Sequence, residues 1–250
     1  MSAAQFLLID VGNSRVKWAT ADVRGPIQVE GEGATDEVTA TWTRSLARKF
    51  PRHHTVLASV VPKLSPAFAR AFAGRLHPVA GNSPALGLRF RYPNPAEIGA
   101  DRLAAAVAVL SDGTWPAIVV NSGTATAFTV LDAKGHVCGG AIAPGLHTQL
   151  AALIGATAQL PATDLRPMRR YLARSTGDAI RAGVMLSFQG GVKEILERLG
   201  ESLPGKPLVV VTGGNAGHLT ETLQGKAVFR PLLVFEGLRM IGLRAFIEVL

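Results

Sequence analysis

Asp10 stands where this sequence could perform chemistry on a phosphate group. It follows an apolar run at residues 6–9, and Gly12 and Asn13 come next as residues that favour a tight turn into a second apolar run. Such a hairpin turn directs backbone N–H groups inward, where a phosphate can bind. The aspartate can hold Mg²⁺, which prefers one or two carboxylates together with phosphate oxygens. The same residues also suit an ordinary hairpin whose aspartate caps the turn.

Asp101 and Arg102 form the second candidate group. They follow an irregular, proline-containing stretch at residues 81–98 and open a helix rich in Ala, Val and Leu. Asp101 could accept the proton of a substrate hydroxyl, or it could simply cap the helix. The guanidinium of Arg102 has a fork geometry that suits a substrate carrying a carboxylate.

The pattern around Asp10 recurs in the second half of the chain. Residues 117–128 repeat the apolar run, and Asn121, Gly123 and Thr124 take the places of Asp10, Gly12 and Asn13. A third glycine-rich turn follows the apolar run at residues 208–211. This arrangement resembles actin-like and sugar-kinase-like folds, in which the first two turns bind the phosphates of ATP and the third approaches the nucleoside.

The elements that must position these residues are predicted in the order β-β-β-α-β-α for the first half. After the hairpin we expect a strand at 26–30, a helix at 36–50, a strand at 55–61 and a helix at 66–76. The second half is expected to contain a hairpin at 117–131, helices at 146–160 and from 175 onward, a strand at 208–211 and a helix at 232–250.

The predicted fold class is α/β, with two duplicated actin-like (ribonuclease H-like) domains, mixed sheets and a nucleotide cleft between them. The polar turn at residues 111–116 places the boundary between domains 1–112 and 113–250. The first domain is expected to carry a phosphate hairpin and the substrate loop. The second is expected to carry the other hairpin, the Gly-Gly turn and dimerisation helices.

Composition narrows the class of protein. The chain has 250 residues, of which 48% are hydrophobic, enough to bury a sizeable core. No uninterrupted apolar segment reaches the about 18 residues of a membrane span, and residues 1–5 lack the basic segment of a secretory signal. The single cysteine excludes an intrachain disulfide. These features predict a cytoplasmic protein that does not enter the membrane.

The charge balance favours a polyanionic partner. Lys and Arg number 26 and Asp and Glu 18, which gives a formal net charge of +8. ATP and nucleic acid both meet that description. The sequence shows no zinc-finger spacing and no helix-turn-helix pattern, and its aromatic content of 6% is low for base stacking. These observations argue against nucleic acid as the partner.

The motifs and their order resemble those of type III pantothenate kinases. They are Asp-Val-Gly-Asn-Ser at 10–14, Gly-Ala-Asp-Arg at 99–102, Gly-Thr-Ala-Thr at 123–126 and Thr-Gly-Gly at 212–214. Tyr-Pro-Asn-Pro at 92–95 and the glycine-rich segment at 139–145 fit the same pattern. The resemblance spans nearly the whole chain. It implies transfer of the γ-phosphoryl group of ATP to the 4′-hydroxyl of pantothenate, the first committed step toward coenzyme A.

The resemblance also implies a role for each matching residue. Asp101 is expected to be the catalytic base. The residues expected to bind ATP, chiefly its phosphates, are Asp10, Val11, Gly12, Asn13, Ser14, Arg15, Val16, Lys17, Gly123, Thr124, Gly213 and Gly214. Those expected to bind pantothenate are Tyr92, Gly99, Ala100, Asp101, Arg102 and Thr176, with Arg102 on the substrate carboxylate. ATP and pantothenate are thus the expected ligands, in a homodimer whose substrate site lies near the interface.

The resemblance implies two kinds of metal ion, Mg²⁺ and a monovalent cation. Asp10 is expected to position Mg²⁺ with the phosphates of ATP. Many members of the family have an aspartate where this chain has Asn121, and that carboxylate helps to hold a monovalent cation such as K⁺ or NH₄⁺. Asn121 keeps an oxygen ligand but lacks the negative charge. We therefore expect weaker or absent K⁺ dependence, or use of a different cation site.

Two alternatives remain open beside pantothenate kinase. One is a kinase of the same architecture that acts on another small hydroxy acid or sugar. The other is a nucleotide-binding regulatory protein with little turnover, because the family includes members first described as transcriptional accessory factors. The presence of Asp10 and Asp101 speaks against the second alternative.

Overall fold

The computed structural model describes residues 5–166, 168 and 170–247. By their internal contacts, these residues form two compact units. The first comprises the described parts of Met1–Trp115, Lys134–Cys138 and Leu232–Leu250, and the second comprises Pro116–Ala133 and the described parts of Gly139–Pro231.

The first unit is built on a five-stranded mixed sheet in the order β3-β2-β1-β4-β5. Strands β2 and β3 run antiparallel to their neighbours, whereas β4 and β5 run parallel to β1. The central strand β1 reads Phe-Leu-Leu-Ile before Asp10, as a strand buried on both faces requires. The elements that begin in this part of the chain are β1 (Gln5–Val11), β2 (Arg15–Asp22), β3 (Gln28–Ala34), α1 (Ala40–Lys49), β4 (His54–Ser59), α2 (Ser65–Ala71), β5 (Leu76–Pro78), β6 (Arg89–Phe90) and α3 (Ala100–Ser111).

The rest of the chain supplies a second mixed sheet and three helices. The elements are β7 (Ala117–Ser122), β8 (Ala125–Leu131), β9 (His136–Pro144), α4 (Leu146–Gly155), α5 (Thr176–Glu201), β10 (Leu208–Thr212), β11 (Val228–Phe229) and α6 (Leu233–Phe246). The sheet order is β11-β10-β7-β8-β9, and β6 pairs with the first residues of β9.

The two sheets share one topology. The order β9-β8-β7-β10-β11 of the second repeats the order β3-β2-β1-β4-β5 of the first, strand for strand. In both, the first two strands form a tight hairpin and a later strand lies parallel to the first. The predicted duplication and the predicted mixed sheets are therefore confirmed.

Each unit has its own apolar core. In the first, residues of β1, β2 and β4 pack with α1 and α2, including Phe68 and Phe72. In the second, residues of β7, β8 and β10 pack with α4 and α5, including Phe128 and Phe188. These cores hold the strand ends that carry the candidate site.

Helix α6 departs from the predicted division of the chain, because it packs with the first unit. It lies against α3 so closely that a Cβ atom at Gly237 would stand 1.8 Å from the Ala104 carbonyl oxygen. Small residues on α3 and the glycine on α6 allow this approach. The predicted helix 232–250 is observed over Leu233–Phe246, and residues 248–250 lie outside the described part.

Three other helices are shorter than predicted. The helix expected at 66–76 is observed as α2 and ends at Ala71. The helix expected from residue 36 begins at Ala40, because Thr39 caps it by accepting a 3.1 Å hydrogen bond from the Trp42 N–H, and Thr35–Glu37 form a separate 3₁₀ turn. The helix expected at 146–160 ends at Gly155. Among the helices of the described residues, none is both long and apolar enough to cross a membrane.

Candidate active site

The first hairpin turn joins β1 to β2 through Asn13 and Ser14, both exposed. The Gly12 N–H donates a 2.9 Å hydrogen bond to the Arg15 carbonyl, which closes the turn. Thr35 then binds the turn twice, since its hydroxyl donates to the Gly12 carbonyl at 2.8 Å and its N–H donates to the Ser14 carbonyl at 3.1 Å. The turn is thereby fixed by a residue 23 positions from Gly12.

The other residues expected at this turn contribute in different ways. The side chains of Val11 and Val16 are fully buried in the core, so only their backbone is available to a ligand. The Arg15 guanidinium forms an exposed ion pair with Glu32 at 2.5 Å. Lys17 lies directly opposite Asp10 in the β1–β2 register.

Asp10 is the second-to-last residue of β1, beside the turn, and pairs with Lys17 of β2 and Ala58 of β4. Burial raises the pKa of its carboxyl group to about 7, the charge of Asp101 acts in the same direction, and Lys17 opposes both. The structure thus brings together two carboxylates that are far apart in the sequence. A cation bound beside Asp10 would favour its charged form, so the electrostatics of the site suit a divalent metal.

Asp101 lies in the first turn of α3, where the helix dipole favours a negative charge. Its carboxylate folds back toward Gly99, the residue before the helix. A Cβ atom at Gly99 would stand 2.8 Å from Asp101 Oδ1 and 3.5 Å from Val60. The glycine therefore provides the space that this carboxylate occupies.

Arg102 follows Asp101 on the same helical turn and is half-buried, as is Tyr92. Burial lowers the pKa of the Arg102 guanidinium, whereas Asp101 and Tyr92 act to raise that pKa. Arginine stays charged in spite of such a shift. A cation that has lost part of its hydration binds a carboxylate ligand strongly.

The second hairpin turn joins β7 to β8 and is one residue shorter than the first. The Gly123 N–H donates to the Ala125 carbonyl at 2.9 Å, with Thr124 between them. The Thr124 carbonyl accepts hydrogen bonds from the Gly145 N–H at 2.9 Å and the Thr148 hydroxyl at 2.6 Å. This turn is thus held by the start of α4.

The Gly-Gly turn after β10 packs against the second hairpin. Gly213 has φ +97°, and a Cβ atom there would stand 2.4 Å from the Ser122 carbonyl oxygen. Asn215 then donates from its N–H to the Ser122 carbonyl at 2.9 Å and from its amide to the Gly123 carbonyl at 2.8 Å. Within the second unit, Gly123, Thr124 and Gly213 therefore form one cluster.

Asn121 is the second-to-last residue of β7, as Asp10 is of β1. It pairs with Ala127 of β8 and Thr212 of β10, and its side chain is half-buried. The equivalent strand ends of the two units therefore carry an acid and an amide. The part that Asn121 plays toward a cation stays a prediction.

Thr176 is the exposed first residue of α5 and belongs to the second unit, whereas the other residues expected at pantothenate belong to the first. Ser175 caps this helix by accepting a hydrogen bond from the Asp178 N–H at 3.2 Å. The buried Arg181 binds Asp178 at 2.5 Å and also binds Asp164. This network fixes the start of α5, and the role of Thr176 stays a prediction.

Sequence reasoning missed Thr35, Thr148 and Asn215. Each donates a side-chain hydrogen bond to the backbone of a hairpin turn. Asn215 directly follows the Gly-Gly motif, which was a usable signal. Thr35 and Thr148 stand in no recognisable motif, and only the packing of the chain brings them to the turns.

Comparison with known proteins decides the family. The sequence model of type III pantothenate kinases matches residues 6–198, which is most of the chain and contains Asp10, the Gly-Ala-Asp-Arg motif and the second hairpin. The chain belongs to the type III pantothenate kinase family.

Two bacterial relatives agree with this assignment. A type III pantothenate kinase of Methylacidiphilum infernorum is 36% identical over 238 residues, covering 94% of this chain and 87% of that protein. One from Akkermansia muciniphila is 33% identical over 235 residues, covering 94% and 97%. The predicted family is confirmed.

Solved structures share the fold at low identity. A Campylobacter jejuni protein assigned to the Baf family of transcriptional activators superposes with a TM-score of 0.59 at 18% identity, covering 94% of this chain and 96% of the other. An archaeal actin homolog superposes with a TM-score of 0.50 at 12% identity, covering 97% and 100%. The type III pantothenate kinase family member described here therefore has the predicted actin-like fold.

Proposed function

We propose that this protein transfers the γ-phosphoryl group of ATP to the 4′-hydroxyl of pantothenate, the first step of coenzyme A synthesis. The observation that carries the proposal is the placement of Asp101 and Arg102 on one turn of α3, with the charge of Asp101 raising the pKa of Asp10 beside the first hairpin turn. Membership of the type III pantothenate kinase family supplies the substrate.

Asp101 is the proposed general base. The substrate hydroxyl oxygen attacks the γ-phosphorus, the bond from that phosphorus to the β,γ-bridging oxygen breaks, and ADP leaves. Asp101 accepts the hydroxyl proton as the new phosphorus–oxygen bond forms. Its position at a helix N-terminus suits this role because the ionised form is the one that accepts a proton.

Arg102 is proposed to bind the carboxylate of pantothenate. Its guanidinium is half-buried next to Asp101, so a carboxylate held there lies near the base. Tyr92 and Gly99 would complete the wall of the pocket in the first unit. Thr176 of the second unit would add a contact, as the family resemblance implies.

Asp10 would hold Mg²⁺ together with phosphate oxygens. The bound metal would neutralise charge that develops on the transferred group. The described residues contain no cluster of three or more His, Cys, Asp or Glu placed to hold a metal, which fits a cation bound mainly through the nucleotide. The carboxyl of Asp10 must be ionised to bind the metal, and Lys17 opposite it favours that form.

We further propose a cytoplasmic homodimer. Leu153 on α4 and Leu186 on α5 are exposed apolar side chains, with 38% and 48% of their surface accessible. Both belong to the second unit, whose helices were expected to form the dimer. Burial of such side chains between two copies would stabilise the assembly.

The test is an assay of the purified full-length protein with ATP and Mg²⁺. We expect 4′-phosphopantothenate, identified by mass spectrometry, to form in step with ADP. A panel of small hydroxy acids and sugars separates the alternative kinases, which would turn over one of those substrates faster. Failure to phosphorylate any substrate, or failure to restore growth of a pantothenate-kinase-deficient cell, would contradict the proposal.

A further inference from the structure

Thr35 in the first unit and Asn215 in the second each hold a hairpin turn by hydrogen bonds to its backbone. Each donates two hydrogen bonds, one from its backbone N–H and one from its side chain, to two carbonyl groups of a hairpin turn. Thr35 binds the Gly12 and Ser14 carbonyls at 2.8 and 3.1 Å, and Asn215 binds the Gly123 and Ser122 carbonyls at 2.8 and 2.9 Å. We call this two-point contact a turn clamp.

Both clamp residues are buried. Thr35 is 5% exposed and Asn215 is 7% exposed, and each comes from an element remote in sequence from its turn, by 23 and 92 residues. Buried polar side chains are retained when their hydrogen bonds fix a local structure. The local structure fixed here is, in both units, the turn expected to meet phosphate.

The chemistry of phosphate binding explains why the carbonyl groups matter. A turn binds an anion through its N–H groups, and a carbonyl oxygen that rotated toward the phosphate would repel it. A hydrogen bond to the protein holds each carbonyl in place before the nucleotide arrives. The free energy of binding is then not spent on ordering the turn.

We propose that Thr35 and Asn215 are positioning residues for nucleotide binding, each holding one hairpin turn in the shape that accepts phosphate. The proposal rests on the ATP-dependent function proposed above. It assigns neither residue a contact with the nucleotide, because each acts through the backbone of the turn.

Thr35→Val tests the first clamp, since valine keeps the branched shape and the backbone N–H but removes the hydroxyl. We expect the Kd for Mg²⁺ with a non-hydrolysable ATP analogue, measured by calorimetry, to rise about tenfold. Thr35→Ser keeps the hydroxyl and should bind like the wild type. In steady-state assays the KM for ATP should rise while the KM for pantothenate stays unchanged.

Thr43→Val is the matched control. Thr43 is also buried, at 1% exposure, and its hydroxyl also donates to a backbone carbonyl, that of Ala40 inside α1. This variant removes an equivalent hydroxyl from the same unit away from the turn. We expect nucleotide affinity to be unchanged, with melting temperatures of both valine variants recorded to separate stability from binding.

Asn215→Ala tests the second clamp independently and keeps the inference testable if Thr35→Val fails to fold. It should also weaken nucleotide binding about tenfold. Its control is Gln189→Ala, which removes a 2.8 Å side-chain hydrogen bond to the His218 carbonyl in the same unit. We expect the control to leave the Kd unchanged.

The outcomes separate this inference from the proposed function. Equal losses of affinity in clamp and control variants, or no loss in the clamp variants, would overturn it. Nucleotide binding with the expected variant pattern but no phosphorylation of pantothenate would overturn the proposed function and support the clamps. A wild-type protein that binds no nucleotide would overturn both.

Discussion

The two hairpins share a topology but differ in charge and in the hydrogen bonds that hold their turns. In the β1–β2 hairpin, the second-to-last residue of the first strand is Asp10, whose pKa is raised to about 7 by burial and by Asp101, and the turn is held by Thr35. In the β7–β8 hairpin, the second-to-last residue of the first strand is Asn121, and the turn is held by Asn215, Thr148 and Gly145. Duplication supplied one scaffold twice, and the two copies now carry different properties.

Because of this difference, the two units offer different chemical groups to a ligand. The first unit holds two carboxylates and a desolvated arginine whose charges act on one another, and such shifted pKa values are typical of functional sites. The second unit offers a neutral turn in a closely packed glycine cluster. Four predictions test this contrast.

Asp101→Asn should produce the largest effect. The amide cannot accept the substrate proton, so we expect kcat to fall by about 10²- to 10⁴-fold with little change in the KM for pantothenate. Steady-state assays measure both constants. Glu221→Gln, an exposed carboxylate of the second unit, and Asp22→Asn, at the far end of the first hairpin, should retain wild-type rates. Wild-type turnover by Asp101→Asn would show that another group is the base.

Gly213→Ala should destabilise the protein more than Gly12→Ala. At Gly213 the φ of +97° is unfavourable for alanine and the new Cβ would stand 2.4 Å from a backbone oxygen, whereas at Gly12 the nearest oxygen is at 3.2 Å. We expect losses of about 2–4 kcal/mol and about 1 kcal/mol in the free energy of unfolding by urea. Gly183→Ala, in open space on α5, should not destabilise. Equal losses at Gly213 and Gly12 would contradict the closer packing of the Gly-Gly turn.

Asp10→Asn should stabilise the metal-free protein at alkaline pH. The pKa of Asp10 is raised from 3.8 to about 7 in the folded state, so between these values the folded chain holds a proton that the unfolded chain has lost. The contribution of Asp10 to the free energy of unfolding therefore falls as pH rises through about 7. Asparagine does not titrate, so the Asp10→Asn variant does not lose stability in this way as the pH rises.

We expect the free energy of unfolding of Asp10→Asn to exceed that of the wild type by about 2 kcal/mol at pH 8 and to match it near pH 4. The figure of about 2 kcal/mol is smaller than the full pKa shift would give, because the side chain is partly exposed to solvent. Urea denaturation across this range without added metal measures the difference. An advantage that grew as pH fell would have the wrong sign and would refute the explanation. Asn121→Asp makes the opposite change, from amide to carboxylate, at the equivalent position of β7. We expect this variant to be less stable than the wild type at pH 8.

The smallest effect concerns the monovalent cation. Because Asn121 lacks a negative charge, we expect similar rates in K⁺, NH₄⁺ and Tris buffers, and we expect Asn121→Asp to gain activation by K⁺. Initial rates over a series of K⁺ concentrations give the comparison. Strong saturable activation of the wild type by K⁺ would contradict this prediction. It would show that K⁺ binds either at Asn121, in spite of the missing charge, or at another site.

Much of this protein was readable from local pattern. The apolar run before Asp10 and its repeat before Asn121 predicted two hairpins, and both are present. The boundaries of helices were less accurate, as at α1, because Thr39 caps the helix after Thr35–Glu37 have formed a separate turn. The placement of α6 in the first unit was also missed, since it depends on the fit of Gly237 against α3.

The sequence by itself determined the strand-turn-strand units, the glycines at the turns and the acid at the head of α3, because these follow from hydrophobic spacing and turn chemistry among near neighbours. Only the tertiary structure decided that the charge of Asp101 acts on Asp10, and that Thr35 and Asn215 reach the two turns. The reason is physical: both a pKa shift and a hydrogen bond between residues 92 positions apart in the sequence depend on distances, and the packing of the cores sets those distances.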